Sequence, residues 1–260
     1  MAGSLLSTSI LATPFPKSIT AFGAGQQVES HLDLFLRHFP SITDCTIVNR
    51  SLNDRASSLH RRTVAKFPLT AVQLLASESG PLKANGDKIT MNDRNGMIKT
   101  ALGTTDIIIC ATSSTLPLFP SSWVRDGTHV ILVGSYKPEM REVDRDLILR
   151  SLRGTLLVDS REACLREAGE ILDARVQPEQ MKEIGELLPK GVDENFDLQV
   201  YFRKPSTAAP DRPQREFDGP VTVFKSVGIA VQDVAIASSI VGGAYSLGGR
   251  IGTTVSEYDL

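Results

Sequence analysis

From Ser18 onward, short runs rich in β-branched residues alternate with stretches whose apolar positions recur at helical spacing. The runs 18–22, 45–49, 70–75, 106–111, 128–133 and 155–158 predict strands, most of them apolar on both faces. Strands of that kind need helices on each side. Amphipathic segments lie between them at 28–39, 54–66, 92–102, 141–150 and 161–172, the first with Leu32, Phe35, Leu36 and Phe39 on one face. Strand, helix, strand, helix predicts an α/β fold with a doubly wound parallel sheet.

After Val176 the pattern loosens. Residues 177–188 predict a short polar helix, and 204–220, with Pro205, Pro210, Pro213 and Pro220 among charges, predict a loop. A short strand follows at 221–224, and the apolar, Ala-rich stretch 226–245 is long enough for a buried helix. The Gly- and Thr-rich tail, 246–260, reads as loosely held.

Composition narrows the partners. With 28 basic and 30 acidic residues the net charge is -2, so no clustered positive field exists to hold nucleic acid or an anionic membrane. A small molecule or another protein is expected instead. Cys45, Cys110 and Cys164 are too few and too scattered for a disulfide framework or a metal site, and read as buried thiols in a reducing compartment. His31 and His38 share one predicted helix but lack a third ligand, so no metal is expected. No apolar run reaches the roughly 18 residues of a spanning helix, and residues 1–16 carry no basic start before their mild apolar stretch. The expected location is the cytoplasm.

The chemistry is carried by a glycine turn. Gly23-Ala24-Gly25 follows the first strand and precedes the first helix, with Gln26, Gln27 and Val28 completing a G-x-G-x-x-V variant of the dinucleotide fingerprint. Gly23 permits the turn, Gly25 lets the backbone approach a pyrophosphate, and the N–H groups at the helix start face the anion. A site for NAD normally carries Asp or Glu at the end of the second strand, where it accepts from the ribose 2′-OH. Here that strand ends in Asn49, Arg50 and Ser51. A neutral amide, a guanidinium that forks onto phosphate oxygens and a hydroxyl form a cradle for a 2′-phosphate, so NADP(H) is expected over NAD(H). Arg55, Arg61 and Arg62 could add charge or belong to a solvated helix face.

At this point the chain resembles the ornithine cyclodeaminase/μ-crystallin family. The resemblance rests on Gly23-Ala24-Gly25-Gln26-Gln27, Val48-Asn49-Arg50-Ser51 and the strand-to-loop run from Asp106 to Ser114. Val133-Gly134-Ser135-Tyr136-Lys137-Pro138, leading into Arg141-Glu142-Val143-Asp144, and Phe224-Lys225-Ser226-Val227-Gly228 through Asp233 complete it. It implies a Rossmann-type domain over 18–235, residues 1–17 as a helix left from a substrate and dimerisation lobe otherwise lacking, and 236–260 as a helix end and tail. It further implies pyrophosphate contacts from Gly23, Ala24, Gly25, Gln26 and Gln27, and adenosine-ribose contacts from Asn49, Arg50 and Ser51. Ala111, Thr112 and Ser113 would lie along the cofactor, Val133, Gly134 and Ser135 near the nicotinamide, and Lys225, Ser226 and Gly228 would close over it.

The implied chemistry is hydride transfer between a nicotinamide and a carbon bearing nitrogen, on a small amino-acid-derived substrate. Two departures bear on it. No arginine precedes Arg37, whereas the family's leading helix carries one for the substrate carboxylate. Where true cyclodeaminases place an aspartate after the glycine, this chain has Ser135 or Tyr136. A hydroxyl relays a proton but is a poor base at neutral pH, which favours reduction of a cyclic imine or ketimine over ornithine deamination. The alternatives are a catalytically impaired cofactor-binding or interaction module and a cyclodeaminase-type lyase. Glu142 and Asp144 read as capping or charging the start of the predicted helix 141–150. Leu5, Leu6, Ile10 and Leu11, with the Ala-rich final helix, would leave an apolar face for a homodimer or other association.

Overall fold

In the computed structural model, which describes residues 1–77, 83–84, 87–88, 91–187 and 217–247, the alternation resolves into one parallel sheet wrapped by helices. In chain order come α1 (Ala2–Leu11), β1 (Ser18–Phe22), α2 (Gln26–His38), β2 (Asp44–Asn49), α3 (Asp54–Lys66) and β3 (Ala71–Ala76). The two-residue strands β4 (Lys83–Ala84) and β5 (Asp87–Lys88) pair with each other, and α4 (Met91–Thr104), β6 (Ile107–Cys110) and β7 (His129–Leu132) follow. Then come α5 (Arg145–Arg153), β8 (Thr155–Val158), α6 (Arg161–Glu167), α7 (Gly169–Ala174), β9 (Lys182–Glu183), β10 (Thr222–Lys225) and α8 (Ala230–Ser246). The main sheet runs β3-β2-β1-β6-β7-β10-β8-β9, and its order reverses between β1 and β6. In open α/β sheets that switch point is where a crevice opens beyond the carboxyl ends of the strands.

The unbroken apolar run of β6 follows from cover on both faces. Ile107 and Ile109 join the cluster with Leu32 and Phe35 of α2, while Ile108 and Cys110 join the one with Ile98 and Leu102 of α4. Adjacent strand residues point to opposite faces, so neither set can be polar.

Three predicted elements differ from the outcome. The helix expected over 141–150 begins at Arg145, because Asp144 caps it by accepting from Leu147 N at 2.9 Å. The single helix expected over 161–172 breaks at Ala168 into α6 and α7. There Gly169 is pressed so closely on Met140 O that a Cβ would lie 2.0 Å from it. The helix expected over 177–188 is instead two 3₁₀ turns flanking β9, which extends the sheet beside β8.

The chain divides into two units, Met1–Val227 and the part from Gly228 onward. In the second, α8 is the one element among the described residues and, taken by itself, buries none of its residues, since one helix cannot bury its own apolar surface. The predicted loop 204–220 lies outside the described residues as far as 216, and the tail does from 248.

α1 is inverted. Ser4, Ser7, Thr8 and Ser9 are buried, whereas Leu5, Leu6, Ile10 and Leu11 are half-buried. The inward serines meet two buried histidines: Ser4 Oγ lies 2.9 Å from His31 Nε2, and Ser7 Oγ lies 3.3 Å from His129 Nε2. Ser7 Oγ already donates to Ser4 O, so His129 Nε2–H donates to Ser7 and the ring's Nδ1 accepts from Thr222 Oγ1 at 2.8 Å. His31 Nδ1–H donates to Gln27 O at 2.7 Å, leaving Nε2 to accept from Ser4. Both rings are thus used in their neutral form.

Burial depresses His31 to about 4 and His129 to about 3, below the ordinary 6.5. Below pH 6.5 the unfolded chain binds protons that the folded chain does not, so stability is fully present above that value and falls as the pH drops toward 4. The loss is roughly 1.4 kcal/mol per pH unit for each ring while only its unfolded form is protonated. Urea unfolding at pH 7.5 and 5.0 should show a steeper decline for the native chain than for the variant H31N/H129N. Equal slopes would refute the neutral-histidine assignment.

Candidate functional site

The strand registers bring the ends of the central strands level. Phe22 pairs with Val48 and Cys110, Cys110 with Leu132, and Leu132 with Lys225. One residue further on, Gly23, Asn49, Ala111, Val133 and Ser226 therefore form a row along the carboxyl edge. Each segment expected to contact a cofactor within the first unit has a residue in this row, and all but the last, which begins one residue earlier at Lys225, start in it.

At the switch point, Gly23 has φ +109 and donates to Val48 O at 2.8 Å. A Cβ there would sit 3.0 Å from Ala111 O and 3.3 Å from Val28 Cγ2, so both the turn and the close approach require glycine. Gly25, the N-cap of α2, is different: a Cβ on it would meet nothing within 4 Å. The open space lies in front of a helix start where the first intrahelical bond is Glu29 N to Gly25 O. The N–H groups ahead of it are directed out of the helix toward any anion placed there.

At the end of β2 no carboxylate replaces Asn49, whose Nδ2 donates to Ser51 O at 2.8 Å and folds the turn back on itself. Arg50, Ser51 and Arg55 are exposed. Arg62 is bound by both guanidinium arms to Glu29 of α2, at 2.7 and 2.8 Å, and Arg61 reaches Ser58. Of the arginines expected here, Arg50 and Arg55 are the exposed ones nearest the end of β2.

The floor between β6 and β7 is polar and closed. Glu142 is fully buried, Oε1 accepting from Thr112 N at 2.6 Å and Thr112 Oγ1 at 2.9 Å, Oε2 accepting from Gly134 N at 2.8 Å. Burial raises its carboxyl to about 6, against the lowering effect of nearby Lys225. Gly134 is wedged against Thr112, where a Cβ would lie 2.0 Å from the carbonyl oxygen.

The profile of the ornithine cyclodeaminase/mu-crystallin family matches residues 95–200. The chain is 30% identical over 247 residues to the ketimine reductase mu-crystallin of Macropus fuliginosus, covering 95% of this chain and 61% of that one. It is also 30% identical over 243 residues to a Delta(1)-pyrroline-2-carboxylate reductase of Paracoccus denitrificans, covering 92% and 63%. The chain belongs to the ornithine cyclodeaminase/mu-crystallin family. It spans about three-fifths of the length of these curated relatives. A solved Delta(1)-pyrroline-2-carboxylate reductase of Thermococcus litoralis, in complex with NADH and L-proline, shares the fold. Its TM-score is 0.67 at 23% identity, over 98% of this chain and 65% of that one.

Of the residues that the ornithine cyclodeaminase/mu-crystallin resemblance singles out, two turn inward. Ser135 is fully buried, its hydroxyl donating to Met140 O at 2.8 Å and accepting from Gly169 N. Lys225 is fully buried too, its ammonium donating to Ser135 O and lying 3.1 Å from Glu170 Oε1. That ion pair lacks hydrogen-bond geometry, since neither oxygen of Glu170 accepts a hydrogen bond among the described residues. Lys225 therefore braces the floor from beneath through its side chain. Tyr136 is 49% exposed in the loop after β7, with Lys137 Nζ 5.9 Å from its ring centre. Ser226 donates to Asp159 Oδ2 at 2.7 Å. Gly228, in the second unit, has φ +87.

Glu142 is the residue whose part sequence reasoning misassigned. It does not cap α5; Asp144 does, and the bend at 142–143 ahead of the helix leaves the glutamate to reach back across the sheet edge. The available signal was two acids so close together, since one cap position takes only one of them. An open groove of about 860 Å³ near Lys17, Asp44, Gln73 and Thr100 borders the opposite, amino ends of β1 and β2 and holds none of the expected site residues.

Gly25 and Gly134 should respond oppositely to alanine. Gly25→Ala should unfold within about 1 kcal/mol of the native chain, the scale of an altered cap. Gly134→Ala should lose about 3 kcal/mol or more because backbone atoms must move. Chemical denaturation of the two variants checks this.

Proposed function

We propose that this chain is the cofactor-binding body of an NADP(H)-dependent reductase that acts on a cyclic imine or ketimine derived from an amino acid. The observation that carries the reading is the open anion site in front of α2, at the switch point, beside a β2 end that bears Arg50 and no carboxylate. The relatives support it, being named as a ketimine reductase and a pyrroline-2-carboxylate reductase. So does the bound NADH of the Thermococcus enzyme.

In this reading Gly23, Ala24, Gly25, Gln26 and Gln27 hold the pyrophosphate through backbone N–H groups. Asn49, Arg50 and Ser51 take the 2′-phosphate, where a carboxylate would repel it. Ala111, Thr112, Ser113, Val133 and Gly134 form the wall along the cofactor, with Ser226 at its far end. The nicotinamide supplies a hydride to the carbon of the C=N bond. The protein's part is to hold that carbon in place, exclude water and keep the imine protonated. Of the two hydroxyls left open by sequence, we assign proton supply to the exposed Tyr136, because that of Ser135 is spent on Met140 and Gly169.

Three buried free thiols suit a reducing cytoplasm, and no helix among the described residues is long and apolar enough to cross a membrane. The half-exposed Leu5, Leu6, Ile10 and Leu11 on α1 are the surface we assign to a homodimer.

Titration with NADPH and NADH, read by nicotinamide fluorescence, followed by pyrroline-2-carboxylate, tests the reading. Saturable NADPH binding with imine-dependent oxidation is expected. Arg50→Ala should weaken NADPH by about tenfold, the scale of one charge-assisted phosphate contact, and leave NADH nearly unchanged. Binding without turnover would favour a cofactor module, turnover of ornithine would favour a lyase, and absence of nucleotide binding would remove the proposal.

A further inference from the structure

Glu142 makes contacts that packing alone does not require. One carboxylate joins two loops that belong to neighbouring strands. Oε1 takes both donors of Thr112, after β6, and Oε2 takes the N–H of Gly134, after β7. Its own backbone strengthens the join: Glu142 O accepts from Leu118 N at 2.9 Å, and Arg141 N donates to Ser114 O at 2.8 Å. The join reaches the glycine turn as well. Ala111 N donates to Phe22 O at 3.2 Å, and a Cβ on Gly23 would lie 3.4 Å from Thr112 Cγ2. A shift of Thr112 is therefore felt by the turn in front of α2.

We propose that Glu142 is a positioning residue: its carboxylate couples the loops after β6 and β7 into one unit and so presets the crevice that receives the nicotinamide cofactor. The inference rests on the cofactor reading above for its last clause only. A buried carboxylate is costly in apolar surroundings, and here three donors offset that cost only while the loops stay in register. The alternative way to satisfy three donors, water, is available only if the loops open.

Protonation should loosen the join. Protonation removes the charge that strengthens all three contacts. A proton on Oε2 faces only the N–H of Gly134 and breaks that contact, whereas a proton on Oε1 can be donated to the Thr112 hydroxyl and weakens only the Thr112 N–H contact. The charged and titratable groups that face Glu142 are Lys225 of β10, which favours its ionised form, Glu170 of α7, which opposes it, and the thiol of Cys110 of β6, itself pushed up by burial. With Glu142 near 6, the join is intact at pH 7.5 and weakened at pH 5.

Amide exchange of peptides spanning 111–118 and 133–140 decides the coupling, with a peptide from β2 and β3 as control. In Glu142→Gln at pH 7.5 both loops should exchange faster together while the control is unchanged. The native chain at pH 5 should show the same paired loss. NADPH binding should weaken about tenfold or more in the variant, the scale of one lost charge-assisted contact. Its pH dependence between 7.5 and 5, present in the native chain, should be lost. Glu142→Asp, which keeps the charge but cannot span both loops, should resemble Glu142→Gln at pH 7.5.

Unchanged exchange, or faster exchange spread equally over the control, overturns the coupling. Faster loop exchange with unaltered NADPH affinity overturns the presetting of the crevice. If a variant does not fold, exchange in the native chain across pH 7.5 to 5 still decides. If the native chain binds no nicotinamide nucleotide, the function proposed above fails, while the exchange data separately decide whether Glu142 couples the loops.

Discussion

The structure depends on backbone packed directly against backbone at the carboxyl edge of the sheet. Where the strand order reverses, Gly23 sits on Ala111, and one strand further along Gly134 sits on Thr112. The second contact leaves no room for a Cβ, and the first combines a tight one, 3.0 Å from Ala111 O, with a positive φ. Because main-chain atoms cannot adopt alternative rotamers, such contacts fix loop positions more tightly than side-chain packing does. Everything expected of the site follows from that edge: the turn aims the start of α2, the start of α2 aims its N–H groups, and the loops after β6 and β7 form the opposite wall.

Beneath the edge the interior is polar, which is unusual for a central parallel sheet. Glu142, Glu170 and Lys225 are all essentially without solvent contact. Such groups are weak evidence for stability, since desolvation offsets much of their attraction. They do specify geometry, because an unpaired member is far more costly than a misplaced methyl group. Lys225 reaches from β10 to the loop after β7, and Glu142 from before α5 to the loops after β6 and β7. The last strand of the chain is thus tied to the same floor as the strands from its middle.

How much could be read in advance depended on how local the cause was. The β1 boundaries and the extent of α3 follow from residues within the element, and Ser18–Phe22 and Asp54–Lys66 emerge as predicted. The glycine turn was also legible, because one strand before it and one helix after it supply its meaning. What was not legible comes from distant partners. The break between α6 and α7 answers to Met140, the inward serines of α1 answer to His31 and His129, and β10 inserts between strands far earlier in sequence. No periodicity within 161–172 or 2–11 encodes those neighbours. Ser135 belongs to the same class: its type and place suggest chemistry, but Met140 and Gly169 take up its hydroxyl.

The contrast between floor and rim has a consequence for what such a site can specify. Along the floor, positions are held by main-chain contacts and buried charges, so the dimensions of the crevice above it are set by the fold itself. The rim is different, with Leu116 at 72% and Tyr136 at 49% exposed and Lys137 in the open beside it. Side chains there can change without moving the floor, since the hydrogen bonds of the floor do not pass through them. The geometry of the floor is therefore a property of the backbone, whereas the rim is set by side chains. This is why the glycine turn and the strand ends were legible in the sequence while the reacting groups are harder to read.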